Sequence, residues 1–382
     1  MTPERPSTNP QRLSGVIASV IAEEIERLGP MRFDRYMELA LYAPGGYYDH
    51  PPVGMGPAGD FVTSPHMHPV FAQLVAEAIR GMLEAMASGA EEPVATVEPE
   101  LVEVGAGDGT LMRAMLPELA DLGLRVTAVE RSSGARAALA TIVGLEVRES
   151  IPATSSPVVV LAHELADNLP FRRLRATPEG VVEVHVGLGE GRLVEVLEPV
   201  VNDLRPPPGL EEGDEAIVPT GAASFVCKAL AAPPPRALLV IDYGTDGGAG
   251  GPAHGYAAHR VVEDLLAAPG ETDITAGVDF GFLADAARAE GLQAFPTVSQ
   301  HAALTALGFE TWLRTELERQ QDLLNTRRGA DAVRAWGGRS RAAMLADQAG
   351  LGRFRWFVVT TPGVAEPEWL RAARELSSAA EA

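Results

Sequence analysis

Hydrophobic residues in the first part of the chain recur at a spacing of three or four residues. This period predicts amphipathic helices over residues 14–28, 34–41 and 70–86. Residues 44–69, between the last two of these helices, are rich in Gly, Pro and Asp and predict a long loop. Because a loop of this length inside a compact protein usually has a function, we expect this one to be functional.

The pattern changes near residue 100, where short apolar runs begin to alternate with helical spacing. The runs at 101–104, 125–129, 145–148, 158–162 and 237–241 predict buried strands, and residues 111–119 predict a helix. This alternation predicts an α/β fold with a doubly wound, mainly parallel sheet and helices on both faces. Further predicted elements are an inserted hairpin at 181–186 and 193–197, a last strand at 356–360 and a peripheral helix after 366.

Three glycines follow the first of these strands: Gly105, Gly107 and Gly109. Open α/β sheets bind ligands at this edge, where glycines let a ligand approach the backbone closely. The dinucleotide fingerprint needs a glycine at the sixth position of G-x-G-x-x-G, which is Thr110 here. Glu103 and Asp108 would repel a pyrophosphate but suit the cationic groups of S-adenosyl-L-methionine. The loop therefore favours S-adenosyl-L-methionine over NAD as the cofactor.

Polar residues after the next two strands are further candidates for cofactor contacts. Glu130 follows the strand at 125–129, at the distance along the chain where an acidic residue binds a ribose diol. An NAD enzyme would also place an acidic residue there, so Glu130 does not distinguish the two cofactors. Glu149 and Ser150 follow the strand at 145–148, at the same predicted edge of the sheet.

Composition limits the class of protein. The 382 residues are 46% hydrophobic and 22% charged, as expected of a globular protein. No apolar run reaches the length of a membrane span, and residues 1–11 resemble neither a secretory signal nor a transit peptide. A single cysteine, Cys227, fits a reducing compartment. A cytoplasmic location is therefore predicted.

The net charge of −21 bears on the choice of partner. Such a surface repels nucleic acid and anionic membranes, so neither is expected as a partner. It attracts a cationic protein or small-molecule substrate, although acidity can also serve solubility alone. The sequence makes no prediction about the oligomeric state.

Five stretches, which span most of residues 31–359, resemble a known family. They are LALYAPGGYY at 39–48, GDFVTSP at 59–65, EVGAGDGTL at 103–111, HELADNLP at 163–170, and IDYG at 241–244 with TDITAGVDF at 272–280. The chain thereby resembles the methyltransferases that include bacterial and slime-mould MidA and the mitochondrial complex I assembly methyltransferase. The resemblance implies a class I, Rossmann-like fold, S-adenosyl-L-methionine as cofactor and methyl transfer. The mitochondrial member symmetrically dimethylates an arginine of a complex I subunit.

The resemblance also assigns roles to individual residues. It implies that a loop covering the cofactor contributes these contacts: Asp60, Phe61, Thr63 and Ser64. Two positions depart from the family pattern. His66 stands where the family has an acidic residue, and His163 stands where it has asparagine. The second departure lies where the substrate should bind, so the arginine substrate does not follow from the resemblance alone.

Glu164 and Asp167 follow the fourth strand, beside the point where the strand order reverses. If a helix starts here, both carboxylates lie on one side of its first turn, and the helix dipole is an alternative reason for their presence. As catalytic groups they would bind a cation, with Glu164 holding a planar guanidinium. His163, with a reference pKa near 6.5, is the candidate general base if the acceptor is a hydroxyl.

N-methylation of a protein arginine is therefore the main hypothesis. The alternatives are a small-molecule O-methyltransferase on the same fold and a non-catalytic assembly factor that binds the cofactor. A metal is not expected, because His50, His66 and His68 near Asp49 match no zinc motif in their spacing.

Three regions are predicted along the chain. Residues 1–90 form an N-terminal helical segment with the cofactor-covering loop, and residues 91–300 form the methyltransferase core with its inserted hairpin. Residues 301–382 supply C-terminal helices and the strand that completes the sheet. The N-terminal segment and a flexible, glycine-rich loop at 247–255 are expected to roof the substrate cleft. His254, Tyr256 and His259 are expected to face solvent in or beside that loop.

Overall fold

The computed structural model describes residues 15–49, 63–88, 98–201, 204, 206–231, 235–248, 251–257 and 260–381. The helices in these ranges are α1 (Val16–Leu28), α2 (Phe33–Tyr42), α3 (Ser64–Met67), α4 (Val70–Ser88), α5 (Thr110–Met115), α6 (Ser133–Leu139), α7 (Thr220–Ala229), α8 (Phe280–Ala289), α9 (Gln300–Ala306), α10 (Phe309–Asn325), α11 (Gly329–Ala343) and α12 (Glu368–Glu381). Short 3-10 helices cover Tyr47–Asp49, Leu116–Leu122, Met344–Ala346 and Leu351–Arg353.

The strands in the same ranges are β1 (Met31–Arg32), β2 (Glu100–Val104), β3 (Arg125–Val129), β4 (Glu146–Arg148), β5 (Val158–His163), β6 (Arg172–Thr177), β7 (Gly180–Gly189), β8 (Arg192–Pro199), β9 (Glu215–Val218), β10 (Arg236–Asp242), β11 (Gly244–Thr245), β12 (His254–Ala257), β13 (Arg260–Val262), β14 (Asp273–Thr275), β15 (Val278–Asp279), β16 (Gln293–Ala294), β17 (Val298–Ser299) and β18 (Arg355–Thr360). Each strand predicted from an apolar run is present, with its ends shifted by at most one residue.

The central sheet has the order β16-β18-β10-β5-β2-β3-β4, with β17 also paired to β18. Strands β10, β5, β2, β3 and β4 are mutually parallel, whereas β18 runs antiparallel to β10. From β2 the chain moves outward through β3 and β4, and then crosses to β5 on the other side. The strand order therefore reverses between β2 and β5, and ligands bind at such a point in doubly wound sheets. The predicted fold class is confirmed.

Helices cover both faces of this sheet because successive strand residues point to opposite sides. In β10, Leu239 and Ile241 join a core with α4, α5, α9 and α12, whereas Leu238 and Val240 join a core with α7 and α8. The C-terminal helix α12 contributes Leu370 to the first core with no exposed surface. It is therefore an integral layer of the fold, and the prediction of a peripheral helix is wrong.

A second, antiparallel sheet has the order β1-β7-β6-β9, with β8 paired to β7. Strands β6 to β9 are inserted between β5 and β10 in the chain, whereas β1 comes from the N-terminal segment. The predicted hairpin is its β7–β8 unit. Strand β6 was missed because it is rich in arginine. Arg172 is 2% exposed and pairs with Glu183 of β7, which is 1% exposed, through two bonds of 2.7 and 2.5 Å. Such cross-strand pairing makes burial of the charges tolerable, but it hides the strand from an apolar pattern.

Two expectations about loops change in the structure. His254 and Tyr256 lie in β12, which pairs with both β13 and β14, so this stretch is not a loop. His259 lies outside the described residues. The predicted loop at 44–69 contains a 3-10 turn at its start and α3 near its end, and residues 50–62 lie outside the described part. Among the described helices, none is both long enough and apolar enough to cross a bilayer.

Candidate functional site

The candidate site lies at the carboxyl ends of β2, β3, β5 and β10. Because β2 and β5 are adjacent, the loop after β2 meets the turn after β5. A Cβ atom added to Gly105 in that loop would lie 2.9 Å from Cδ1 of Leu165 in that turn. The predicted cofactor loop and the predicted substrate turn therefore touch each other.

All three glycines of the loop after β2 have left-handed backbone angles. Their φ values are 74° at Gly105, 56° at Gly107 and 76° at Gly109. A residue with a side chain is strained in this region of backbone space. The loop also stays close to its neighbours, since a Cβ atom on Gly109 would lie 2.7 Å from Cδ1 of Ile142. The glycines thus let a ligand approach the loop backbone at the end of β2.

Glu103 is the most perturbed acid beside this loop. Its side chain is buried, and its Oε2 atom has no hydrogen-bond partner among the described residues. Burial, together with the neighbouring acids Asp108 and Glu130, raises the pKa of Glu103 to about 8. A buried carboxyl group with a free acceptor atom suits a cationic or hydrogen-bond-donating ligand group. The acidic groups beside the glycine loop therefore fit S-adenosyl-L-methionine.

The other predicted cofactor contacts fall into two groups. Glu130 faces the glycine loop, and its carboxylate accepts hydrogen bonds from the backbone of Gly107 at 3.1 Å and of Ser132 at 2.9 Å. Glu149 instead forms an ion pair with Arg136 at 2.7 Å and has 73% of its side chain exposed. Ser150 is also exposed. The structure brings Glu130 to the loop but turns Glu149 toward Arg136.

Helix α3 bridges the cofactor loop and the substrate turn. His66 Nδ1 lies 2.8 Å from Thr63 Oγ1, and its Nε2 lies 3.1 Å from the carboxylate of Asp108 in the glycine loop. The backbone N–H of Ser64 donates to Glu164 Oε1 over 3.4 Å. Thr63 and Ser64 therefore lie at the site, whereas the predicted contacts Asp60 and Phe61 lie outside the described residues.

No helix begins after β5, so Glu164 and Asp167 do not share the first turn of a helix, which was one possible arrangement. Residues 164–169 form a bend and a turn, and Glu164 has a left-handed φ of 49°. Such a backbone angle is uncommon for a residue with a side chain and is found most often at functional sites. The helix dipole therefore cannot be the reason for the presence of Glu164 and Asp167. A turn, instead of a helix, brings their carboxylates together.

The side chain of Glu164 retains 24% exposure. Burial of most of the side chain and the charge of Asp167 together raise the pKa of Glu164 to about 8, against the hydrogen bond from Ser64, which lowers it. Asp167 is 9% exposed; its pKa rises to about 6 through burial, while a hydrogen bond from Thr275 at 2.6 Å opposes the rise. Its Oδ1 atom has no hydrogen-bond partner among the described residues. A cation entering the cleft would meet acceptor atoms that are not yet satisfied.

His163 is less suited to act as a base than its sequence position suggested. Its side chain is 7% exposed, and its ring lies 5.3 Å from that of Phe71. Burial, together with the nearby His66, lowers the pKa of His163 to about 3. Its Nε2 atom lies 3.2 Å from Glu164 Oε1 without the alignment of a hydrogen bond. The imidazole is therefore neutral and weakly basic.

Asp242 is a functional residue that no role was predicted for, although it lies within the IDYG stretch. It ends β10, is fully buried, and its Oδ2 atom accepts hydrogen bonds from the backbone of Ala166 at 2.8 Å and of Asp167 at 3.2 Å. Burial and the nearby acids raise its pKa well above the usual value. Asp242 thus holds the turn that carries the two predicted catalytic acids.

Aromatic residues of the LALYAPGGYY stretch cover the other side of this turn. The Tyr42 hydroxyl donates to the backbone oxygen of Asn168 at 2.9 Å, and the Tyr48 hydroxyl donates to Asp273 at 2.8 Å. The two rings stack with centroids 5.5 Å apart. Their contribution is to wall the acidic pocket. The expected part of the N-terminal segment as a roof is consistent with this placement.

The described residues contain no group of three or more His, Cys, Asp or Glu side chains arranged to hold a metal ion. The site is instead a row of carboxyl groups along the switch point. On the cofactor side these are Glu103, Asp108 and Glu130, and on the substrate side they are Glu164, Asp167 and Asp242. Such a concentration of like charge raises carboxyl pKa values and attracts cations.

Comparison with known proteins agrees with this geometry. The family model of S-adenosyl-L-methionine-dependent methyltransferases matches residues 74–298, more than half of the chain. The mitochondrial protein arginine methyltransferase NDUFAF7 of Rattus norvegicus is 29% identical over 343 residues, which cover 78% of this chain and 76% of the relative. The Drosophila melanogaster homolog is 27% identical over 403 residues, which cover 92% and 86%.

A solved structure shows the same architecture. The COG1565 superfamily member from Burkholderia thailandensis, bound to S-adenosyl-homocysteine, superimposes with a TM-score of 0.75 and 26% identity. The match covers 93% of this chain and 94% of that one. One prediction is contradicted by the comparisons. The curated relatives from rat and Drosophila are mitochondrial proteins, which overturns the expectation of a cytoplasmic location.

Proposed function

The chain belongs to the family of S-adenosyl-L-methionine-dependent methyltransferases, and on that premise we propose that its methyl acceptor is the guanidinium group of a protein arginine. Its cofactor is S-adenosyl-L-methionine and its activity is methyl transfer, as the sequence predicted. The curated relatives are protein arginine methyltransferases by name, which supports the proposed acceptor. The partner is accordingly a protein that presents a cationic side chain.

One observation carries the proposal. The turn after β5 gathers the carboxyl groups of Glu164, Asp167 and Asp242, and an Oδ1 atom of Asp167 has no partner among the described residues. Asp167 raises the pKa of Glu164, and both raise the pKa of Asp242, so ionising these carboxyl groups is costly in an empty pocket. A guanidinium offsets that cost because it brings a positive charge and five N–H donors in a fixed plane. A neutral hydroxyl substrate would offset much less of it.

Binding of the cofactor is assigned to Glu103, the three glycines and Glu130. When bound, S-adenosyl-L-methionine supplies a methyl group activated by a positively charged sulfur. Glu103 offers a buried, unsatisfied acceptor to a cationic group. Thr63 and Ser64 border the cleft from α3 and reduce the access of water. The proposal also includes cofactor contacts by Asp60 and Phe61. It further includes the division of the chain into three regions, with boundaries at residues 90 and 300.

Glu164 is the residue that we assign to the substrate. In the empty pocket its carboxyl group is largely protonated at neutral pH, because its pKa is about 8. An arriving guanidinium lowers this pKa, and the ionised carboxylate holds the planar group by paired N–H···O bonds. A nitrogen that has formed a bond to the methyl carbon must then release a proton. Glu164 can accept that proton, since its environment favours the protonated state.

The hydroxyl alternative depends on His163 as a general base. An imidazole whose pKa is near 3 is too weak a base to remove a proton from a hydroxyl at neutral pH. The geometry therefore favours the arginine acceptor over O-methylation. The assembly-factor alternative predicts no product, and it is separated from both by an activity measurement.

Label transfer tests the proposal. The full chain is incubated with isotopically labelled S-adenosyl-L-methionine and a cell extract, and the labelled proteins are hydrolysed to amino acids. We expect label in methylarginine, and much less label with the Glu164→Gln variant. Label confined to small molecules would favour the O-methyltransferase. No label in any fraction, with normal cofactor binding by calorimetry, would favour the non-catalytic alternative.

A further inference from the structure

The hairpin formed by α10 and α11 exposes an apolar stripe. Val333, Trp336 and Met344 are 65%, 55% and 52% exposed, and their spacing places them on one side of α11 and the turn after it. Ala342, on the opposite side of α11, is buried, and Ala332, one turn before Trp336, is buried as well. We call Val333, Trp336 and Met344, with the neighbouring arginines, the outer face of α11. Exposed apolar groups in such a stripe mark a binding surface.

The charge of this surface is opposite to that of the chain. Residues 324–346 contain five arginines and one acidic residue, whereas the whole chain has 31 basic and 52 acidic residues. Arg328 and Arg334 both pair with the single acid, Asp331. Arg339 donates to the neutral side chain of Gln320 at 3.1 Å. The segment therefore keeps a surplus of positive charge beside exposed tryptophan.

The hairpin also contacts the functional site. The Trp312 ring of α10 lies 4.9 Å from the ring of His68, which follows α3. A Cβ atom on Gly338 of α11 would lie 3.6 Å from His68 Nε2. Helix α3 in turn contacts Glu164 through Ser64 and Asp108 through His66. The outer face is thus about one helix diameter from the elements that line the cleft, roughly 10 Å.

We propose that the outer face of α11 docks an acidic, apolar-containing segment of the protein substrate while the substrate's arginine enters the pocket at Glu164. This inference rests on the proposed arginine acceptor. Charge complementarity identifies the occupant: the cleft is acidic and takes the arginine, whereas the outer face is basic and takes an acidic segment. Trp336 supplies the large apolar contact that typically dominates such interfaces. An anionic membrane is disfavoured because the chain carries a net charge of −21.

The test compares two double variants of the full chain. Arg334→Glu with Trp336→Ala changes the outer face, and Arg371→Glu with Leu376→Ala changes an arginine and an apolar residue that are also exposed, on α12. With the methylarginine-containing protein found by label transfer, we expect the outer-face variant to raise KM at least about tenfold. Its kcat and its affinity for S-adenosyl-homocysteine should stay at the wild-type values. The α12 variant should match wild type in all three.

A binding measurement keeps the inference testable without a substrate. A fluorescent synthetic peptide of glutamate and leucine should bind the wild type in a salt-dependent manner, and the outer-face variant should bind it at least about tenfold more weakly. Equal binding of that peptide to both proteins would overturn the docking surface. So would an unchanged KM in a variant that still forms methylarginine, and this result would leave the proposed function standing.

Two further outcomes are distinct. Failure to form methylarginine with the wild type would remove the proposed function, and with it the substrate assigned to this surface. Binding of phosphatidylglycerol vesicles by the wild type, lost in the outer-face variant and accompanied by an unchanged KM, would assign the surface to a membrane and overturn the proposal.

Discussion

Replacing Glu164 by glutamine gives a quantitative test of the acidic pocket. With a pKa of about 8, roughly one Glu164 side chain in ten is ionised at pH 7 in the empty site. Because an arginine selects the ionised form, kcat/KM should rise about tenfold per pH unit up to about pH 8 and then level off. The difference of one unit between pH 7 and this pKa corresponds to about 1.4 kcal/mol of free energy for ionising Glu164.

The Glu164→Gln variant should lose this slope and most of the rate. A buried charge that loses its partner costs about 3–5 kcal/mol, and the 24% exposure of Glu164 favours the lower end. We therefore expect kcat/KM at pH 8 to fall by roughly two orders of magnitude. The assay is the initial rate of label transfer to the arginine substrate across pH 6 to 9. Calorimetry with S-adenosyl-homocysteine should show unchanged cofactor binding.

The same pKa shift also makes a prediction for stability. The folded pKa of Glu164 is raised above its ordinary value of 4.5, so its contribution to stability is complete below about pH 4.5 and is lost as pH rises to about 8. Glutamine does not titrate, so the variant should lose less Tm over that interval than wild type.

His163→Asn is the matched control for the Glu164 variant. Since His163 is buried and neutral, this change should preserve activity and the pH profile. The reasoning would be refuted if Glu164→Gln kept the wild-type rate and slope. It would also be refuted if His163→Asn were far more damaging than Glu164→Gln, a result that would promote the O-methyltransferase.

Three other changes test separate parts of the structure. Asp242→Asn should keep most activity, because an amide oxygen can still accept from Ala166 and Asp167 and only the bond from the adjacent Tyr243 N–H is lost, whereas Asp242→Leu should cut kcat by at least about tenfold with the fold retained by circular dichroism. Gly107→Ala should weaken S-adenosyl-homocysteine binding by calorimetry because φ is 56°, while Gly123→Ala, at φ 59° in a turn away from the site, should leave binding unchanged. Arg172→Met should lower the free energy of unfolding by about 3 kcal/mol in denaturant titrations, because buried Glu183 loses its guanidinium partner and keeps a more distant neighbour, His185 at 3.5 Å; adding Glu183→Leu should recover much of that loss.

The sequence by itself determined the order and type of the central elements. Strands buried on both faces are near-continuous apolar runs, so β2, β3, β5 and β10 were predictable nearly to the residue. The glycine loop was predictable because left-handed backbone angles restrict its positions to glycine. Arginine-rich β6 was not, since its charges are neutralised by residues on other strands.

Only the tertiary structure decided how the acidic pocket is assembled. Asp242 is 75 or more residues from the backbone groups that it holds, and Thr275 is 108 residues from Asp167. Sequence spacing carries no information about such distances, because the strand order places β10 beside β5. The turn at Glu164, where a helix was one possibility, was likewise decided only by the structure. Local patterns determine which faces of an element are apolar, whereas the pKa values and contacts of the buried acids depend on neighbours brought together only when the sheet forms.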